Sequence, residues 1–228
     1  MSNILILHGF LGNFNEGLLK FLYENLSSDN NLVTPNLLTT QNRLMTISEQ
    51  ISVISQNINL SKSLKNGSGF DLIIGYSLGG YACWQTILQN FIQDNTQNNN
   101  FSLTCPILLI APLVKPTNFI KTRFTIQELK NILSLNIEET ITKDFGRDRI
   151  YKINRKYIQD FLLAPEIDFL EIPEKIRSQI NTVSFTNDAT IANYDHLSFN
   201  PLLRLLDNHG CEEAKNRDII LNFIKTLI

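Results

Sequence analysis

Histidine and cysteine are both scarce in this 228-residue chain, with three of each. The cysteines, Cys83, Cys105 and Cys211, are odd in number and widely spaced, and no CxxC pair occurs. This argues against a cysteine-based zinc site and against a disulfide framework, and it fits buried thiols in a reducing compartment. A surplus of positive charge is also missing: 20 Lys and Arg stand against 22 Asp and Glu, a formal net charge of -2. A nucleic-acid binder needs a basic face to meet phosphates, so no nucleic-acid partner is expected. Long apolar runs are absent too. The first run, residues 4–7, is too short for a signal-peptide core and follows no basic stretch. No run approaches the length of a membrane span. The expectation is a soluble cytoplasmic protein. Nothing in the sequence specifies an oligomeric state.

What is present is an ordinary globular mix, 43% hydrophobic and 18% charged. The length suits one domain carrying an insertion. Short apolar runs at residues 4–7, 70–74, 106–110, 182–185 and 202–206 each lead into turn residues. Continuous runs of this kind fit strands buried on both faces. Residues 32–35 read as a further, shorter strand. Stretches 16–25, 44–60, 78–92 and 218–228 repeat apolar residues at helical spacing, as in Ile47, Ile51, Ile54 and Ile58. Strands alternating with helices predict an α/β protein with a mostly parallel sheet and helices on both faces. The Asn-rich tract at 93–100 predicts a polar surface loop. Residues 113–176 break the rhythm: they lack a clear strand, and 127–135 and 150–163 look helical. They predict a helical lid insertion within a single domain spanning 1–228. Ligands of such sheets bind beyond the carboxyl ends of the strands, where this insertion would form a lid or pocket wall.

One segment carries chemistry. Gly75-Tyr76-Ser77-Leu78-Gly79 follows a predicted buried strand and opens a predicted helix. A tight strand-to-helix turn exposes a serine hydroxyl, and it needs flanking glycines because larger side chains would strike the neighbouring strand and helix. A serine hydroxyl is a weak nucleophile until a base takes its proton. Three histidines are available: His8, His196 and His209. His209 follows the last predicted strand, which suits a base delivered to the sheet end that carries Ser77. His196 precedes that strand. His8 comes before the nucleophile in the chain and suits a structural role, holding the loop of an oxyanion hole. That hole would use the backbone N–H groups of Leu78 and of Phe10, with Leu11 the near alternative to Phe10. The acid that orients the base is expected at Asp188, after the strand at 182–185, with Asp195 and Asp207 as rivals.

With these residues in hand, the chain resembles the α/β-hydrolase superfamily, and within it the small bacterial YqiA-like esterases. The likeness is carried by Leu5-Ile6-Leu7-His8-Gly9-Phe10, by Gly75-Tyr76-Ser77-Leu78-Gly79-Gly80-Tyr81 and by Ala111-Pro112-Leu113-Val114-Lys115-Pro116. Thr186-Asn187-Asp188 resembles the family's acid turn and Asn208-His209-Gly210 its base turn. Two departures are Asn187, where glycine is usual, and Lys115, where arginine is usual. The resemblance implies an α/β-hydrolase fold, a Ser77–His209–Asp188 triad and carboxylesterase activity on short acyl esters, with no metal or organic cofactor. Its partner would be a small-molecule ester. An acyl thioester is the alternative substrate, which Lys115 would suit if it met an anionic group. A non-catalytic, ligand-binding use of the same fold is the alternative from another class.

Overall fold

The computed structural model describes the chain apart from residues 13, 41–42, 64–68, 97–104, 147, 169–172 and 189–201. The first half runs β1 (Asn3–Leu7), α1 (Gly17–Leu26), β2 (Asn31–Val33), β3 (Thr39–Thr40), β4 (Arg43–Leu44), α2 (Ile47–Ser63), β5 (Leu72–Tyr76) and α3 (Leu78–Thr96). The second half runs β6 (Ile107–Ile110), α4 (Pro116–Arg123), α5 (Ile126–Leu133), β7 (Thr140–Asp144), β8 (Ile150–Asn154), α6 (Arg155–Leu163), α7 (Glu174–Arg177), β9 (Ile180–Phe185), β10 (Leu202–Leu205) and α8 (Ala214–Leu227).

The apolar runs become the strands of one six-stranded sheet, in the order β10-β9-β6-β5-β1-β2. Every pairing within it is parallel. Such strands are covered on both faces, which explains why Ile4 to Leu7 and Ile107 to Ile110 are wholly shielded from solvent. From β1 the chain crosses through α1 toward one edge, whereas from β5 it crosses through α3 toward the other. Right-handed crossovers in opposite directions put their helices on opposite faces. The contacts agree: α1 packs on α8, and α2 packs on α3. Between β1 and β5 the winding therefore reverses, and a crevice opens beyond their carboxyl ends.

Three boundaries depart from the sequence reading. β5 extends through Gly75 and Tyr76, paired with Leu109 and Ile110, so Ser77 follows the strand directly. α3 continues into the polar tract as far as Thr96. The third departure is larger. The segment after Leu113 contains a β-hairpin, β7 against β8, and residues 150–154, expected to be helical, form its second strand. Both strands are partly exposed and mix apolar with polar residues, so no continuous apolar run marks them. With β3 and β4 they make a second, four-stranded sheet, in the order β3-β4-β8-β7. Helices α4, α5 and α6 complete this segment, and α4 and α5 pack against α6. Among the described residues no helix is long and apolar enough to cross a membrane.

Candidate active site

Ser77 sits in the crevice, between the end of β5 and the start of α3. Its backbone is left-handed, with φ 54°, a state that costs a non-glycine residue roughly 1–3 kcal/mol. Three main-chain bonds offset that strain. Ser77 N–H donates to the Ile110 carbonyl at 2.9 Å, and the Ser77 carbonyl accepts from Tyr81 N–H at 3.1 Å and Leu113 N–H at 3.0 Å. The glycines around the turn are required by close approach. A Cβ at Gly75 would lie 2.7 Å from Gly80 Cα, and one at Gly79 would strike the carbonyl oxygens of Leu7 and His8. The turn is thus pressed against β1, and Gly9 passes so near that a Cβ there would lie 2.8 Å from Ser77 Cβ.

His209 meets both partners at once. Its Nε2 is 2.9 Å from Ser77 Oγ and its Nδ1 is 2.7 Å from Asp188 Oδ2. With the proton on Nδ1, that N–H donates to the carboxylate and leaves Nε2 to accept from the serine hydroxyl. The Asp188 side chain is fully shielded, whereas that of His209 keeps 22% of its surface open. The ends of β9 and β10 deliver the pair. Beyond their ladder, Thr186 N–H donates to the Leu205 carbonyl at 2.9 Å and Asn187 N–H to the Asp207 carbonyl at 3.0 Å. The turns that carry Asp188 and His209 are therefore stitched to each other through the main chain.

Asp207 does not face His209. Its carboxylate accepts from Asn208 N–H at 2.8 Å, Glu212 N–H at 3.1 Å, Glu213 N–H at 3.1 Å and Asn216 Nδ2 at 3.0 Å. Burial opposes its ionisation, but these hydrogen bonds outweigh burial and hold the carboxyl below its usual range. Asp207 braces the turn that presents His209. Asp195 and His196 lie outside the described residues.

His8 is buried just beyond the end of β1, and both of its ring nitrogens bond main-chain groups. Its Nδ1 bonds the Gly9 carbonyl at 2.9 Å and its Nε2 accepts from Leu37 N–H at 2.9 Å. Burial lowers its pKa, so the ring is neutral and pins the loop as a spacer rather than a charge. The same Gly9 carbonyl accepts from Gly12 N–H at 3.0 Å, closing a turn around Phe10 and Leu11. That bond leaves the Phe10 N–H outside the turn's own closure. Leu78 is the first residue of α3, where N–H groups lack intrahelical partners. The Phe10 ring packs edge-on against Phe119 and Phe145, with centroids 4.9 and 5.3 Å away, and so ties the loop to the insertion.

A cleft of about 290 Å³ opens on Ser77 and His209, and Phe10, Glu16, Arg149 and Arg217 also line it. Arg149, just before β8, forms an ion pair with Glu16 at the head of α1. Arg217 Nε donates to the Cys211 carbonyl at 2.6 Å. The sequence reading missed all three charged residues and also Tyr76, which lines the same cleft. Tyr76 stood inside the serine motif as a variable position. Arg149 and Glu16 have no local signal, since they meet across 133 residues. Lys115 pairs instead with Glu166 at 2.9 Å, both partly exposed. Among the described residues no group of three His, Cys, Asp or Glu comes together that could hold a metal ion.

No family model matches the sequence, and no curated protein matches it. Solved structures do match in three dimensions. Est1E from Butyrivibrio proteoclasticus, seen with ferulic acid bound, has a TM-score of 0.63 at 14% identity, covering 100% of this chain and 89% of that one. A putative hydrolase from Agrobacterium vitis S4 has a TM-score of 0.65 at 14% identity, covering 99% and 87%. Mouse alpha/beta hydrolase domain-containing protein 10 has a TM-score of 0.59 at 15% identity, covering 99% and 88%. At such identities the likeness concerns architecture, and with the parallel sheet it shows that this chain has the α/β-hydrolase fold.

Proposed function

We propose that the protein hydrolyses carboxylic esters through an acyl-enzyme, with Ser77 as nucleophile, His209 as base and Asp188 as the acid that orients it. The observation that carries this reading is the unbroken chain of contacts from Asp188 through His209 to Ser77, at 2.7 and 2.9 Å. As Ser77 Oγ attacks the carbonyl carbon, its proton passes to His209 Nε2, and Asp188 stabilises the resulting imidazolium. The carbonyl oxygen becomes an oxyanion held by the N–H groups of Phe10 and Leu78. His209 then gives its proton to the leaving alcohol. A water deprotonated by the same nitrogen attacks the acyl-enzyme, and collapse of the second intermediate frees the acid and returns the proton to Ser77. None of these steps calls for a metal or organic cofactor.

The motif blocks around His8, Ser77, Asp188 and His209 support a YqiA-like esterase within the fold. The small cleft supports short acyl chains. A chain-length series of acyl esters and matching thioesters, assayed with wild type and Ser77→Ala, tests the reading. Turnover that peaks on short esters and vanishes in Ser77→Ala is expected. A preference for thioesters would move the assignment to an acyl thioesterase. Binding without turnover would make the fold a non-catalytic ligand-binding one.

A further inference from the structure

Tyr76 is the last residue of β5 and the immediate neighbour of Ser77. Its hydroxyl donates to the main-chain carbonyl of His209. Its ring lies along the imidazole, with centroids 5.4 Å apart and planes 25° from parallel. The base is thus held twice by one side chain, at its backbone and on the face of its ring.

That contact matters because of the sheet order. β6 and β9 lie between β5, which carries Ser77, and β10, which leads to His209. Without a direct link, the distance between nucleophile and base would be the sum of several strand spacings and a loop. The loop is itself strained, with Cys211 at φ 50°. Asp207 and Arg217 brace the residues on either side of His209. Tyr76 braces His209 itself, from the strand that also ends in Ser77. Its own backbone is locked in register opposite Ile110. Burial pushes the phenol well above the ordinary tyrosine range, so the hydroxyl stays a donor wherever esters can be assayed.

We propose that Tyr76 is a positioning residue of the hydrolytic site: by hydrogen-bonding the His209 carbonyl and stacking on its ring, it keeps Nδ1 and Nε2 aligned on Asp188 and Ser77 together. The inference rests on the esterase reading. A base with two partners on separate strands must satisfy both within a few tenths of an ångström. Loss of one tether lets the imidazole keep the carboxylate and drift from the hydroxyl.

The test compares Tyr76→Phe, which keeps the ring, with Tyr76→Leu, which loses it as well. kcat and KM on a short acyl ester, the Tm, and the low-field proton resonance of the His209 Nδ1–H bonded to Asp188 are measured for each. For Tyr76→Phe the expected result is a kcat lowered about 10-fold with KM unchanged, a Tm near that of wild type, and a broadened low-field resonance. Tyr76→Leu should lose about 100-fold in kcat. A Tyr76→Phe enzyme with wild-type kcat and an unaltered resonance overturns the proposal. So does a loss carried by KM alone, which would limit Tyr76 to its place in the cleft lining. If Ser77→Ala hydrolysed the ester as fast as wild type, the esterase reading would fall. The resonance of Tyr76→Phe would still report whether Tyr76 aligns His209.

Discussion

The two walls of the cleft are built by different means. The wall that carries Ser77 is set by main-chain contact: glycines pressed against carbonyls, a strained serine tied by three backbone bonds, and turns stitched by the ladder of β9 and β10. The opposite side is set by side chains: Phe10 on Phe119 and Phe145 of the insertion, and Arg149 on Glu16. The second sheet is likewise held by side chains, with Arg43 on Glu49 where β4 meets α2. Main-chain contacts resist change and suit groups that must hold fixed distances. Side-chain contacts can be exchanged with little cost to the fold.

Four substitutions probe that contrast. Asp188→Asn leaves the geometry of the sheet wall but removes the charge that stabilises the imidazolium, and kcat should fall by roughly 10⁴. Asp207→Asn should instead lower the Tm, with a far smaller effect on kcat. Steady-state kinetics and thermal unfolding of the two variants separate the roles, and the reverse pattern would exchange the acid and the brace. Gly79→Ala forces a Cβ into the carbonyls of Leu7 and His8, at a cost of about 3 kcal/mol. Gly146→Ala in the hairpin meets no neighbouring atom and strains only its φ of 81°, at about 1 kcal/mol. Urea unfolding of the two should preserve that ranking. Equal costs would erase the distinction between the walls.

A further probe is pH. Arg43 holds Glu49 by a bidentate bond, 2.6 and 2.9 Å, and that bond, helped by Thr46, lowers the carboxyl from 4.5 to about 2. Because the folded value lies below the unfolded one, the contribution is complete above about pH 4.5 and disappears as the pH falls toward 2. The pair is partly open to solvent, so screening holds its worth to about 1 kcal/mol. The Tm gap between wild type and Glu49→Gln should close across that window. A gap independent of pH would remove the ion pair from the account. The smallest effect is expected from Arg149→Gln, under about 1 kcal/mol in stability. Its KM should shift with kcat unchanged, while a changed kcat would draw the insertion into the chemistry.

The same division decides what can be read from the sequence. Continuous apolar runs mark β1, β5 and β6, since strands covered on both faces favour apolar residues throughout. The serine turn is legible because its glycines are required by close packing. The hairpin of β7 and β8 is hidden from a search for apolar runs, since Thr140-Ile141-Thr142-Lys143-Asp144 holds a single apolar residue and alternates only in its burial. The starts of α2 and α5 also carried a local signal, in Thr46 with Glu49 and Thr125 with Glu128, each threonine and glutamate capping the other's backbone. Chain order points to Asp188 and His209, but it is silent on Asp207 as a brace. The contacts of Tyr76 with His209 and of Arg149 with Glu16 join residues more than a hundred positions apart. Only the folded chain brings them together.

The central claim is that Ser77 is the nucleophile, activated by His209. The most direct test is mass spectrometry of the protein after reaction with a fluorophosphonate, on wild type, Ser77→Ala and His209→Ala. The account predicts a single adduct on the peptide that contains Ser77 in wild type, none in Ser77→Ala, and a rate of labelling lowered by several orders of magnitude in His209→Ala. Equal labelling of wild type and Ser77→Ala, or an adduct on another serine, would contradict it.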